Sequence, residues 1–141
     1  MSVTSGVLLG SSVLCMVAAL LHFACLFIGS RGYRMMGAGE KAVRAVEAGD
    51  RRPHISATAV GVVLVIWSLY ALSGAQLVPE LPHTRLVLFA IAGLLLARAL
   101  AFPLLKPMFP GNSRRFWLVS SLVVGILGLM FLVGALGTDL R

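Results

Sequence analysis

The sequence predicts an all-α integral membrane protein, an antiparallel bundle of four transmembrane helices with a short amphipathic cytoplasmic helix between the first two. Three observations carry this. The 141 residues are 59% hydrophobic and only 12% charged, with a mean hydropathy of +0.97, whereas soluble domains carry about 25% charge. Four apolar runs are each near the roughly 20 residues that a spanning helix needs, and together with their short connections they use up the chain as one membrane domain, 1–141. The basic residues, finally, are concentrated in two of the connections. A β-barrel would alternate apolar and polar residues over segments of about ten, and that period is absent.

The first span is read at 6–29. Met1 to Ser5 carries no side-chain positive charge and no clear small-x-small cleavage site follows, so the run reads as an uncleaved helix. A lipoprotein reading at Cys25 fails likewise, because His22 stands where a Leu is expected. Cys15 and Cys25 lie about 15 Å apart along this one helix. They cannot bridge each other, and without a CxxC or further sulfur ligands they read as buried packing.

The connection 30–52 is the one sizeable stretch outside lipid. Residues 39–48 read as a short helix, with Glu40 and Arg44 at i, i+4 and Ala42, Val43 and Val46 on one apolar side. Gly49 suits its C-terminal cap. Such a helix is expected to lie in the headgroup layer, where basic residues near anionic lipid each gain about 1 kcal/mol. Gly37-Ala38-Gly39 resembles a phosphate-cradling turn, but no strand precedes it and no GK[ST] follows, so a nucleotide site is not supported.

The second span, 54–77, opens on Pro53, tolerated in a first helical turn. A stiff turn with Pro79 and Pro82 leads to the third span, 85–105, and predicts that helices 2 and 3 form a tight antiparallel pair. A second short connection, with Pro107, Pro110 and a Gly111-Asn112 turn, leads to the fourth span, 115–137. Small residues mark expected contact faces: Gly93, Ala97 and Ala101 on helix 3, Ser121, Gly125 and Gly128 on helix 4, Gly6 and Gly10 on helix 1, and Ala57 and Gly61 on helix 2.

The formal charge of +7 is explained by topology rather than by nucleic acid. Arg31, Arg34, Lys41, Arg44, Arg51 and Arg52 fall in the first connection, and Lys106, Arg114 and Arg115 in or beside the third. The other side has Arg85 and Arg141. The positive-inside rule makes 30–53 and 106–115 cytoplasmic, with both termini outside. Ten Arg against two Lys, among abundant Ala, Val and Gly, suits a GC-rich bacterium and an inner membrane. These nine cations are expected to contact the bilayer surface, anionic lipid included.

Arg98 is the one charge within a run otherwise apolar from 86 to 105. An ionised side chain at the centre of a span costs about 2.5–3.5 kcal/mol, so it needs a physical reason. It can snorkel, particularly if Pro103 distorts the helix. It can bond to hydroxyls or carbonyls as packing glue, or it can accept an anion. His22 lies at a comparable depth, and Thr58, Ser120 and Ser121 are on the same half, so one pocket could draw on every helix. The acids Glu40, Glu47, Asp50, Glu80 and Asp139 all fall in loops or the tail. The chain thus departs from small four-helix multidrug transporters, which depend on an embedded Glu. A guanidinium without a carboxylate favours an anionic ligand: a lipid phosphate, a fatty acid or a quinone oxygen.

His54, at a membrane edge, and His83, on the opposite side, give His22 no mate for bis-histidine haem ligation, and neither metal nor cofactor is expected. In size, helix count, outside termini and large inner first loop the chain resembles the membrane-bound glutathione transferase-like family. That family's Arg, Asn and Glu signature around the second helix has no counterpart between Arg51 and Tyr70, so no glutathione chemistry is carried over. No nucleophile–base pair or carboxylate dyad assembles at one depth, and no reaction is assigned. The first functional expectation is a non-catalytic accessory or assembly subunit with a membrane-protein partner or a second copy of itself. The alternative is a binder or carrier of an anionic amphiphile through Arg98, His22, Ser120, Ser121 and Thr58.

Overall fold

The computed structural model describes residues 2–138; Asp139 and Arg141 of the expected outside tail fall beyond them. Every regular element among the described residues is helical: α1 (Val3–Ile28), α2 (Ser30–Met35), α3 (Glu40–Glu47), α4 (Arg52–Gly74), α5 (Thr84–Leu100), α6 (Phe102–Leu105) and α7 (Arg114–Gly137). A 3-10 turn, Lys106–Met108, follows α6. Three helices, α1, α4 and α7, are long and apolar enough to cross a membrane. A fourth crossing is added if α5 and the bent segment after it count as one span.

Local chemistry sets the helix starts. Ser2 Oγ accepts from the Ser5 amide at 3.1 Å to cap α1, and Ser113 Oγ accepts from the Phe116 amide at 3.1 Å to cap α7, each satisfying a donor that has no partner within its helix. Pro53 stands in the first turn of α4.

The long helices pair antiparallel. The broadest contacts are α1 with α4 and α5 with α7, and α1 meets α7 to join the two hairpins. Ser12 Oγ of α1 lies 2.7 Å from Ser68 Oγ of α4; buried hydrogen bonds of this kind contribute about 0.6 kcal/mol, and about 1–2 in model peptides. Leu8 fills the space beside Gly134, and Met130 reaches Gly10. Leu8, Leu88 and Phe131 are fully buried at the centre of this core.

Four expectations are corrected. Helices 2 and 3, now α4 and α5, are not a tight pair along their length. They meet at the turn, where Ser73 Oγ takes the Leu81 amide at 2.8 Å and lies 3.1 Å from Thr84 Oγ1, and Leu88 packs on Gly74; toward the basic end a cavity separates them. The contact face of α5 is Leu88, Ile91, Ala92 and Leu95. Gly93 and Ala97 are exposed, and a Cβ on Gly93 would meet nothing within 4 Å. The close approach is provided by α7 instead, where Gly128 packs against Leu95 and Leu96 and Gly125 against Ala99.

The third span also does not run straight through 85–105. α5 stops at Leu100 after 17 residues, and the chain turns by 62° into residues 102–108. Pro103 explains this, since it supplies no amide to continue the ladder across the break. Leu100 and Leu104 are 81% and 78% exposed, so the bent segment carries an apolar surface of its own.

The connection 30–52 forms a two-helix cap over the basic end. α2 is an additional helix, and α3 matches the expected one within a residue at each end. α3 ends in a Schellman motif: the Asp50 amide donates to Ala45 O at 2.9 Å and that of Gly49 to Val46 O at 3.0 Å, with Gly49 at φ +80. The apolar side of α3 does not face lipid as expected. Val43 is buried with Cys25, Tyr33 and Ala57 in a second small core, because the α2 turn folds α3 back over the bundle. The two connections are tied together as well: Asn112 Nδ2 donates to Gly37 O at 2.9 Å and the Glu40 amide to Pro110 O at 3.3 Å. The Gly37 and Ala38 amides donate to Arg34 O and Tyr33 O, so these, like that of Glu40, are taken by the protein itself.

Candidate functional site

Arg98 lies in the last turn of α5, where a cation interacts favourably with the carbonyl end of the helix. Its side chain crosses to α7. Nη1 donates to Ser121 Oγ at 3.2 Å and Nη2 to Ser120 Oγ at 3.1 Å, and Cζ stands 5.4 Å from the centroid of the Trp117 ring. The serines are six and seven residues in from Arg114, about 9–10 Å along α7. Two of five N–H donors are thereby used. No carboxylate pairs with this guanidinium among the described residues, whose salt bridges are Arg34–Glu40, Arg34–Glu47 and Arg44–Glu40. Those three are exposed and add little stability.

Trp117, which carries the guanidinium on its face, is 3% exposed, and its Nε1 has no hydrogen-bond partner. Phe109 and Phe116 close in at centroid distances of 6.0 and 6.4 Å.

Arg98 opens on its other side into a cavity of about 910 Å³ between the two hairpins and beneath the cap. α1 contributes His22 and Cys25, α4 contributes Ser56, Ala57 and Val60, the cap contributes Tyr33, Met36, Lys41 and Ala42, and Asp50, Arg52 and Phe109 complete the wall. The cavity exists because α4 and α5 diverge and the chain after Leu100 turns aside. Its wall is chiefly apolar, with cations at two levels.

The expected site residues therefore fall into three groups. Arg98 and His22 share the cavity. Ser120 and Ser121 hold the guanidinium and do not line the space themselves. Thr58 is exposed and donates back to His54 O at 2.8 Å. The α4 face toward the cavity is 53, 56, 57 and 60, so Ser56 occupies the place given to Thr58. His22 Nδ1 lies 2.8 Å from Ala18 O; since a carbonyl only accepts, Nδ1 carries the proton there, and in the neutral ring Nε2 is left as an acceptor. The nine cations Arg31, Arg34, Lys41, Arg44, Arg51, Arg52, Lys106, Arg114 and Arg115 are all exposed, at the same end of the bundle.

One polar contact was not foreseen. Tyr33 Oη lies 2.7 Å from His54 Nδ1, with the rings 5.5 Å apart, and Tyr33 is 4% exposed. Burial, and secondarily the nearby Cys25, raise the phenol above its ordinary value of 10.0. A separation of 21 residues across a helical connection leaves no periodic signal. The available clue was composition: Tyr33 is the one aromatic residue in 30–52.

No group of three or more His, Cys, Asp or Glu that could hold a metal ion occurs among the described residues. No protein-family model matches the chain, and no curated protein or solved structure is significantly similar to it. The class that the coordinates define is an all-helical protein with helices fit to cross a membrane. Within that class, its particular feature is a half-open cavity at the basic end, with an arginine held at its wall by two serines and a tryptophan.

Proposed function

We propose that the protein binds or carries an anionic amphiphile in a bacterial inner membrane. In this reading α5 with its bent extension is the fourth span, the termini lie outside, and the basic end faces the cytoplasm, in accord with the positive-inside rule. The observation that carries the proposal is Arg98. It lines the cavity of about 910 Å³, has no carboxylate partner among the described residues, and is oriented by Ser120 and Ser121. An apolar chamber with a held cation suits a lipid phosphate, a fatty acid or a quinone oxygen, with His22 as a second polar group.

Native mass spectrometry of gently extracted protein tests this. The wild type is expected to retain an anionic lipid that Arg98→Ala loses, and an equally loaded Arg98→Ala protein would overturn the proposal. A second reading, a non-catalytic subunit that docks a membrane partner or another copy of itself, is favoured by the uncovered Gly93 and Ala97 on α5. A defined protein partner unaffected by Arg98→Ala would support it instead.

A further inference from the structure

The charges around the cavity do not balance. Lys41, Arg52 and Arg98 contribute three cations against the single carboxylate of Asp50, leaving a formal +2 with His22 neutral. Asp50 is already engaged, for its Oδ1 accepts from the Arg52 amide at 2.9 Å.

The deepest cation also has N–H donors to spare. Arg98 keeps three N–H groups after bonding the two serines. Together with Lys41 and Arg52 on the same wall, these donors call for a group with several acceptor oxygens and more than one negative charge.

We infer that the head of the bound amphiphile is a phosphate monoester on a single apolar chain, an inference that rests on the amphiphile reading above. A phosphate monoester carries about −1.5 to −2 at neutral pH and three acceptor oxygens, matching the lining charge. A carboxylate brings one charge and two oxygens, and a phosphodiester one charge and two terminal oxygens; either leaves a cation uncompensated in a partly desolvated site. The cavity lies at the upper end of the roughly 300–1,000 Å³ range of small-ligand pockets, which suits one chain and its head. Ala57, Val60, Met36 and Phe109 supply the apolar wall.

The test uses the full chain in zwitterionic nanodiscs. Trp67→Phe leaves Trp117 as the single fluorophore, since the chain has two tryptophans. Lysophosphatidic acid, a fatty acid of the same length, lysophosphatidylcholine and inorganic phosphate are titrated in turn, with retention checked by native mass spectrometry. Lysophosphatidic acid is expected to shift Trp117 emission and bind about tenfold more tightly than the fatty acid, a gap of one further strong polar contact. Lys41→Gln and Arg52→Gln, both at exposed positions, should each narrow that gap while the helical circular dichroism is unchanged. Equal affinity for the fatty acid would overturn the phosphate inference and leave the amphiphile reading standing. Inorganic phosphate binding as tightly as the lysolipid would keep the head chemistry and overturn the amphiphile. Retention of none of the anions, or of lysophosphatidylcholine equally well, would end both.

Discussion

A guanidinium inside an apolar run is tolerated here because its helix ends two residues later and its donors are met by another helix. Arg98 makes two charge-assisted hydrogen bonds to Ser120 and Ser121, each of a kind that contributes about 1.5–3 kcal/mol. Against them stands an insertion cost of about 2.5–3.5 kcal/mol. Removing the side chain deletes both sides of the balance, so Arg98→Ala should cost less than losing the bonds alone, about 0–3 kcal/mol in delipidated protein. Joint Ser120→Ala and Ser121→Ala substitution keeps the charge and deletes both its acceptors, and should cost about 3–6 kcal/mol. Thermal denaturation in detergent ranks the two variants, and the reverse order would make Arg98 a structural tie. Tyr33 gives a second test at this scale. Its phenol is raised above 10.0 by burial, so the folded chain holds that proton more tightly than the unfolded one. The associated stability is full below about pH 10 and declines as pH rises from there through the raised folded value. Tyr33→Phe should flatten this alkaline decline in melts between about pH 9 and 11, and a decline of unchanged slope would refute the assignment.

Among the elements, α7 is the surface on which α5 is set. A Cβ on Gly128 would come within 3.0 Å of Leu96 Cγ and 3.1 Å of Leu95 Cβ. Gly128→Leu should therefore force the hairpin apart and cost about 1–3 kcal/mol. Gly93→Leu meets open space and should be near neutral in the isolated protein, so a clear loss of stability or of a copurifying partner would mean that this face is covered in the native assembly. The pair also marks what could be read from sequence. Small residues at four-residue spacing occurred on both helices, and spacing does not say which of two adjoining faces provides the close approach. The four apolar runs, the Gly49 boundary and the association of Arg98 with Ser120 and Ser121 were legible, because periodicity, capping and depth are local properties. The bend after Leu100 was half legible, since Pro103 pointed to distortion without fixing its angle. α2, the Tyr33–His54 contact and the burial of Val43 were not, for they depend on how far the first connection folds back.

For the molecule as a whole, one end collects almost all the charge. The nine exposed cations, the cap and the cavity mouth lie at the end where α1 finishes and α4 begins, whereas Gln76 and His83 mark the turn at the opposite end, both at positive φ. Electrostatic attraction to an anionic leaflet of about 1 kcal/mol per basic residue, summed over such a group, strongly favours one orientation. Cys15 is buried and Cys25 lines the cavity, so in a Cys25→Ser background single cysteines introduced on the surface can be labelled almost without background. In intact cells a membrane-impermeant maleimide should label Gln76→Cys and not Lys41→Cys, and permeabilisation should expose Lys41→Cys. The opposite pattern would place the cavity mouth on the outside and move the source of any amphiphile to the other leaflet. Labelling of both positions before permeabilisation would contradict the four-span arrangement itself, because α4 alone separates the two positions and a single crossing must leave them on opposite sides.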